Sequence, residues 1–112
     1  MFGLTDNTIK SIYSVFEKHE TVKTVLIFGS RAKGNYENGS DIDLAVEDDI
    51  SAEELQKIQN ELEDLDLLYE IDIVPYKKIK DTPLGQHIDR VKKVFYKKNY
   101  ILYGNRNETV EV

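Results

Sequence analysis

The 112-residue chain contains no cysteine. That excludes a disulfide framework, a thiolate nucleophile and cysteine-ligated zinc, and it fits a reducing cytoplasm. No apolar run approaches the roughly 18 residues that a membrane helix needs. The opening residues MFGLTDNTIK lack the basic region and apolar segment of a secretory leader. A cytoplasmic location without a membrane partner is therefore expected. Positive charge is in short supply: 15 Lys and Arg face 21 Asp and Glu, for a net charge of −6. Non-specific nucleic-acid binding rests on cationic contacts to phosphates, so stable binding of that kind is not expected. Neither GxxxxGKS/T nor GxGxxG occurs, which removes the main support for P-loop and dinucleotide folds. Repeats, low-complexity tracts and linkers are also missing. The chain reads as one domain over 1–112, with its core at 20–97 and a loose tail at 104–112.

What is present alternates between strand and helix signals. Thr5 and Asp6 can cap a helix whose Ile9, Ile12, Tyr13 and Phe16 share one face. The unbroken apolar run Val25-Leu26-Ile27-Phe28 suits a strand buried on both faces and ends at Gly29. DIDLAVE reads as a second strand, and Asp48 and Asp49 as the turn after it. Ser51 with Glu54 forms a capping box for a helix with Leu55, Ile58, Leu62 and Leu65 inward. YEIDIVPY is a third strand, stopped by Pro75. Thr82-Pro83 opens another helix with Leu84, Ile88 and Val91 on its inner face. Residues 94–103 fit either helix or strand. The expected class is α+β, a small mixed sheet packed against helices.

Asp41 and Asp43 carry the chemistry. Residues i and i+2 of a strand project to one face, roughly 6.6 Å apart. Asp72, between Ile71 and Ile73, has the same setting on the third strand. Were the two strands neighbours, three carboxylates would converge, and like charges in one site raise at least one pKa by several units. Magnesium removes that cost, because it takes oxygen ligands from a few carboxylates and from substrate phosphates. Such a group can grip a pair of ions roughly 3.5–4 Å apart, the separation used in phosphoryl and nucleotidyl transfer. Gly29 and Ser30 supply the complement. A strand-to-helix turn aims backbone N–H groups outward, and glycine lets a phosphate approach closely. Arg31 and Lys33 add charge of the kind that clamps polyphosphate. The plain alternative, a solvated strand face, is hard to reconcile with three aspartates each flanked by buried-type residues.

The pattern Gly29-Ser30, ten residues, Asp41-x-Asp43 and a later strand aspartate, Asp72, resembles the nucleotidyltransferase superfamily related to DNA polymerase β. FGSRAKG, SDIDLAV, EIDIV and the closing HIDRVKKVFY are most similar to its minimal nucleotidyltransferase (MNT) group. The resemblance implies a palm-like fold. It assigns Gly29 and Ser30 to the nucleotide's phosphates, Asp41 and Asp43 to metal binding, and Asp72 to a metal and to deprotonating the attacking hydroxyl. It further implies ATP as substrate, two Mg²⁺ ions and transfer of AMP to a hydroxyl. The acceptor it implies is a tyrosine of an all-helical HEPN toxin encoded beside the chain, so that the chain acts as an antitoxin by AMPylation. A hetero-oligomer follows, with a homodimer of the free chain as the other possibility. Two rivals stay open: a binding module that inhibits its partner by contact, and a nucleotidyltransferase subunit acting on a small molecule such as an antibiotic. The group's usual ending has a glycine near 92–93, where this chain has Lys92-Lys93.

Other features read more plainly. The lysines at 77, 78 and 80 and the basic stretch 90–98 read as a solvated face, with a docking surface for an acidic partner as the alternative. His19 and His87 lack metal-ligand spacing and read as ordinary surface or partly buried residues. Glu70 shares a strand face with Asp72 and most simply faces water. Tyr96, Tyr100 and Tyr103 lean toward an interface.

Overall fold

The computed structural model describes residues 1–98. Helix α1 spans Asp6–Glu17 and begins where the Thr5 hydroxyl accepts a hydrogen bond from the Thr8 amide, satisfying one otherwise orphaned donor. Its Ile9, Ile12, Val15 and Phe16 are buried, the stripe that helical spacing dictates. The strands are β1 (Thr24–Phe28), β2 (Ile42–Val46), β3 (Ile71–Pro75) and β4 (Lys93–Lys97). They form a sheet in the order β3-β2-β1-β4. β1 pairs antiparallel with β2 and β4, whereas β2 and β3 are parallel. Parallel neighbours need a crossover, and helix α3 (Ala52–Glu63) provides it. The sheet is therefore mixed and the class α+β, as the sequence implied.

Each sheet face has its own core. Val25, Ile27, Ile42, Leu44 and Val46 pack with α1 and with Ile58 and Leu62 of α3. On the other face Leu26, Phe28 and Ala45 meet Ile88 of helix α5 (Pro83–Val91), with Val74, Tyr76 and Ile79 beside them. Tyr76 and Ile79 belong to a short helix, α4 (Tyr76–Ile79), which the sequence did not reveal. Ile42, Leu44 and Val46 are all fully buried, so a one-residue slip of β2 would expose three large side chains. That penalty pins Asp43 to the opposite face.

Several expectations change in detail. Ser51 accepts from the Glu54 amide, but the Glu54 carboxylate turns to His19 and Thr21 instead of closing the capping box. Both offer side-chain donors, and the imidazole is held against a second carboxylate. His19 is consequently buried, its Nδ1 3.0 Å from Glu54 Oε2 and its Nε2 2.8 Å from Glu61 Oε1. Leu84 does not face inward on α5; it is exposed, and Gly85 and Ile88 are buried instead. A Cβ at Gly85 would stand 2.2 Å from the Ile79 carbonyl oxygen, so the missing side chain is what lets α5 close on α4. Asp48 does more than turn the chain: its carboxylate accepts from the Lys23 and Thr24 amides and fastens the start of β1.

The alternative at 94–96 resolves as strand. No glycine is needed, because Lys92 leaves the helix in an extended conformation (φ −59, ψ 147). β4 carries a bulge opposite Val25/Leu26, which allows the successive Phe95 and Tyr96 both to enter the α1 side of the core. The Tyr13 hydroxyl donates to the Phe95 carbonyl, and the Tyr13 ring meets both aromatics edge-on. The expectations for YILYG, Tyr100, Tyr103 and the tail fall outside the described residues. Among the described residues no helix is long and apolar enough to cross a membrane.

Candidate active site

The site sits at one end of the less covered sheet face. β2 and β3 run parallel with Asp43 opposite Asp72, so the two carboxylates are cross-strand neighbours on one face. Asp41 lies one residue before β2 and is exposed, as is Asp72; Asp43 is half-buried. Burial pushes the Asp43 carboxyl above the usual carboxylate range, and the charges of Asp72 and Asp41 push it further the same way. Asp43 thus feels the charge of both other carboxylates.

One nearby group works against this repulsion. His87 lies close enough to Asp43 to favour its charged form, and its ring meets Phe28 edge-on at 6.2 Å. Sequence reasoning set His87 aside because no ligand spacing surrounds it. Only the return of α5 across the sheet brings it to the aspartates, and nothing local in the sequence signals that return.

The β1–α2 turn faces the carboxylates. Helix α2 covers Gly29–Lys33 and starts directly from the strand. Gly29 has φ +72, a conformation that side chains disfavour, and a Cβ there would fall 2.4 Å from Asp43 Oδ2. β1 and β2 pair Phe28 with Asp43, which explains how the turn and the acid come so close. Ser30 is half-buried at this turn, and its carbonyl accepts from the Gly34 and Asn35 amides to end α2. Lys33 is exposed in the last turn of α2.

Arg31 departs from the expectation of a phosphate clamp. It is 3% exposed, with Nε and Nη2 donating to the Ser40 carbonyl and Nη1 to the Phe2 carbonyl. Its guanidinium also lies over the rings of Tyr36 (5.1 Å) and Tyr69 (4.9 Å). It bonds neither Asp41 nor Glu47. A planar fork can hold two carbonyls and two rings at once, so Arg31 fastens the segment that leads into Asp41.

The donor set can be compared with the cofactor it suggests. Asp41, Asp43 and Asp72 offer only oxygen ligands, the kind magnesium takes together with water and substrate phosphates. Among the described residues no three His, Asp or Glu side chains, the aspartate trio included, form a group that could hold a metal ion by themselves. The mutual repulsion at Asp43 is the kind of cost that a bound cation relieves. Their oxygen-only chemistry is of the kind magnesium takes, with the rest of its shell left to water and substrate phosphates.

A glycine turn packed onto paired strand aspartates at the open end of a mixed sheet is the arrangement of a nucleotidyl-transferring palm. The family model for "Polymerase beta, Nucleotidyltransferase" matches residues 10–101, and the chain belongs to that family. No curated protein matches it in sequence. Several solved structures share its fold, three of them toxin–antitoxin structures. A toxin–antitoxin structure with AMP-PNP aligns at a TM-score of 0.62 and 21% identity, over 80% of this chain and 73% of that one. The toxin–antitoxin complex MntA–HepT gives 0.60 and 18%, over 84% and 74%. A tri-AMPylated Shewanella oneidensis HEPN toxin in complex with its MNT antitoxin gives 0.61 and 18%, over 85% and 74%.

Proposed function

We propose that the chain is a magnesium-dependent adenylyltransferase that moves AMP from ATP to a hydroxyl on a HEPN-type partner protein, and so acts as an antitoxin. The observation that carries this reading is the register of Asp43 with Asp72 on adjacent strands, with Gly29 packed against Asp43. The likeness to structures described as toxin–antitoxin complexes, one with AMP-PNP and one with an AMPylated HEPN toxin, supports both nucleotide and partner.

Each residue then has a role. Gly29 leaves room for the triphosphate, and Ser30 with the α2 amides offers it donors. Lys33, exposed in the last turn of α2, adds positive charge for the triphosphate. Asp41, Asp43 and Asp72 would hold magnesium, which when bound lowers the acceptor's pKa and neutralises charge on the leaving pyrophosphate. An Asp72 carboxylate oxygen takes the proton from the acceptor hydroxyl. The acceptor oxygen bonds to the α-phosphorus as the bond to pyrophosphate breaks. Positioning and charge do most of this work, so few residues suffice.

The test combines the protein, ATP, magnesium and the product of the adjacent reading frame, followed by intact-mass spectrometry of that product. AMP-sized additions should form with wild type and be absent with Asp41→Asn or Asp43→Asn. Suppression of the partner by wild type and both variants alike, with no mass change, would replace this reading with inhibition by contact.

A further inference from the structure

The chain has two histidines, and the fold treats them in opposite ways. His19 is buried with both ring nitrogens engaged, Nδ1 by Glu54 and Nε2 by Glu61. His87 is half-buried, and among the described residues neither of its nitrogens has a hydrogen-bond partner. Its ring is therefore free to donate to a molecule from outside the chain.

The surroundings of His87 place that molecule. β1 pairs Phe28 with Asp43 and β2 pairs Asp43 with Asp72, so these three residues form a row across one sheet face. Helix α5 crosses this face at the Phe28 end, where Ile88 shares a core cluster with Phe28. The His87 ring meets Phe28 edge-on at 6.2 Å, and His87 lies close enough to Asp43 to favour its charged form. Phe28 is also the residue from which Gly29 turns into α2. His87 thus stands where the aspartate row meets the glycine turn.

Its support is firm. Thr82 caps α5, Gly85 lets the helix close against the Ile79 carbonyl, and Ile88 anchors it in the core. A donor mounted on such a helix keeps its place better than one on a flexible stem such as Lys33. The chemistry narrows the ligand. Among the described residues His87 does not join Asp43 and Asp72 in a group that could hold a metal, and magnesium prefers oxygen donors. An imidazole N–H matches a phosphate oxygen instead, and the missing side chain at Gly29 leaves room for one beside it.

We infer that His87 is a further nucleotide-binding residue, whose imidazole donates a hydrogen bond to the triphosphate tail from the α5 side. Resting on the adenylyltransferase reading, this assignment adds a second support for the polyphosphate. The tail is then held between two elements, Gly29 and Ser30 at the end of β1 and His87 on α5.

Two measurements test it, both on the full chain with magnesium present. In isothermal titration calorimetry with AMP-PNP, His87→Phe keeps an aromatic ring against Phe28 but loses the donor, whereas His87→Gln keeps a donor. His87→Phe should weaken AMP-PNP at least about tenfold, and His87→Gln should recover part of that loss. Wild-type affinity in His87→Phe would make the ring a packing residue and overturn the assignment. Should His87→Phe fail to fold, NMR of the wild-type imidazole C–H signals answers the same question. Inorganic tripolyphosphate should shift the His87 signals and leave those of His19 in place, and adenosine should shift neither. Unmoved His87 signals overturn the assignment, and so does a shift by adenosine alone, which would move His87 to the nucleoside. AMP-PNP binding that is indifferent to His87 removes this assignment alone. A wild type that binds neither AMP-PNP nor tripolyphosphate removes the adenylyltransferase reading with it.

Discussion

Gly29 lies directly against Asp43: a methyl group at the glycine would stand 2.4 Å from the Asp43 Oδ2 atom. The turn offered to phosphates and the carboxylate offered to a cation thus share one contact. Substitution of either residue should be felt at the other.

Gly29→Ala is expected to cost about 1 kcal/mol in stability, because φ +72 is disfavoured for a side chain. Its effect on AMP transfer should be larger, since a displacement on the order of 1 Å at a reacting centre can cost roughly 10²-fold. Paired urea denaturation and single-turnover kinetics separate the two effects.

Asp43→Asn should abolish transfer and yet stabilise the protein when divalent ions are absent. The raised Asp43 pKa means that its ionisation opposes folding. Stability is therefore lost as pH climbs above the ordinary carboxylate range, up through the folded-state pKa. The half-buried position screens the repulsion, so the gain near neutral pH should be modest, a rise of about 2–4 °C in Tm. Melting curves across pH should show the wild-type loss and its flattening in the variant. Magnesium should raise the wild-type Tm and leave the variant nearly unchanged.

Arg31→Ala should behave as a folding mutation, costing roughly 2–4 kcal/mol by leaving the Ser40 and Phe2 carbonyls without their donors. Arg31→Lys should recover only part of that loss, because a point charge cannot reproduce the planar fork. Denaturation midpoints test this. A variant of unchanged stability with weakened ATP binding would return Arg31 to the phosphates.

Glu54 and Glu61 are held below the usual carboxylate range, chiefly by their hydrogen bonds to His19. Their contribution is present above the ordinary carboxylate pKa and is lost as pH falls through the lowered values. The Glu54→Gln/Glu61→Gln double variant should lose less stability than wild type on acidification below about pH 4.5. Acid titration followed by circular dichroism measures the difference.

Gly85→Ala should destabilise by about 1–3 kcal/mol, because the added carbon meets backbone atoms of Ile79 and Lys80 that cannot rotate aside. Since α5 also carries His87, loss of this packing should lower transfer activity as well, measured on protein shown to be folded.

Local rules reached far in this chain. Thr5, Ser51 and Thr82 cap their helices because a short hydroxyl next to a helical stretch satisfies a free amide whatever lies further away. The strand period of two put Asp41 and Asp43 on the side opposite Ile42 and Leu44, and Gly29-Ser30 marked the turn, all within twenty residues. Tertiary structure decided the rest. Whether Asp72 meets Asp43 depends on β3 pairing parallel to β2 through α3, and a strand's partner is set by packing, not by its own sequence. Arg31 reads as a phosphate ligand by charge and position, but burial among carbonyls and rings that arrive from residues 2, 36, 40 and 69 gives it another task. His19, with its two glutamates, and His87, near Asp43, were invisible for the same reason. Their partners lie 35 or more residues away in sequence, and only the packing of α1 on α3, and of α5 on the open sheet face, brings them together.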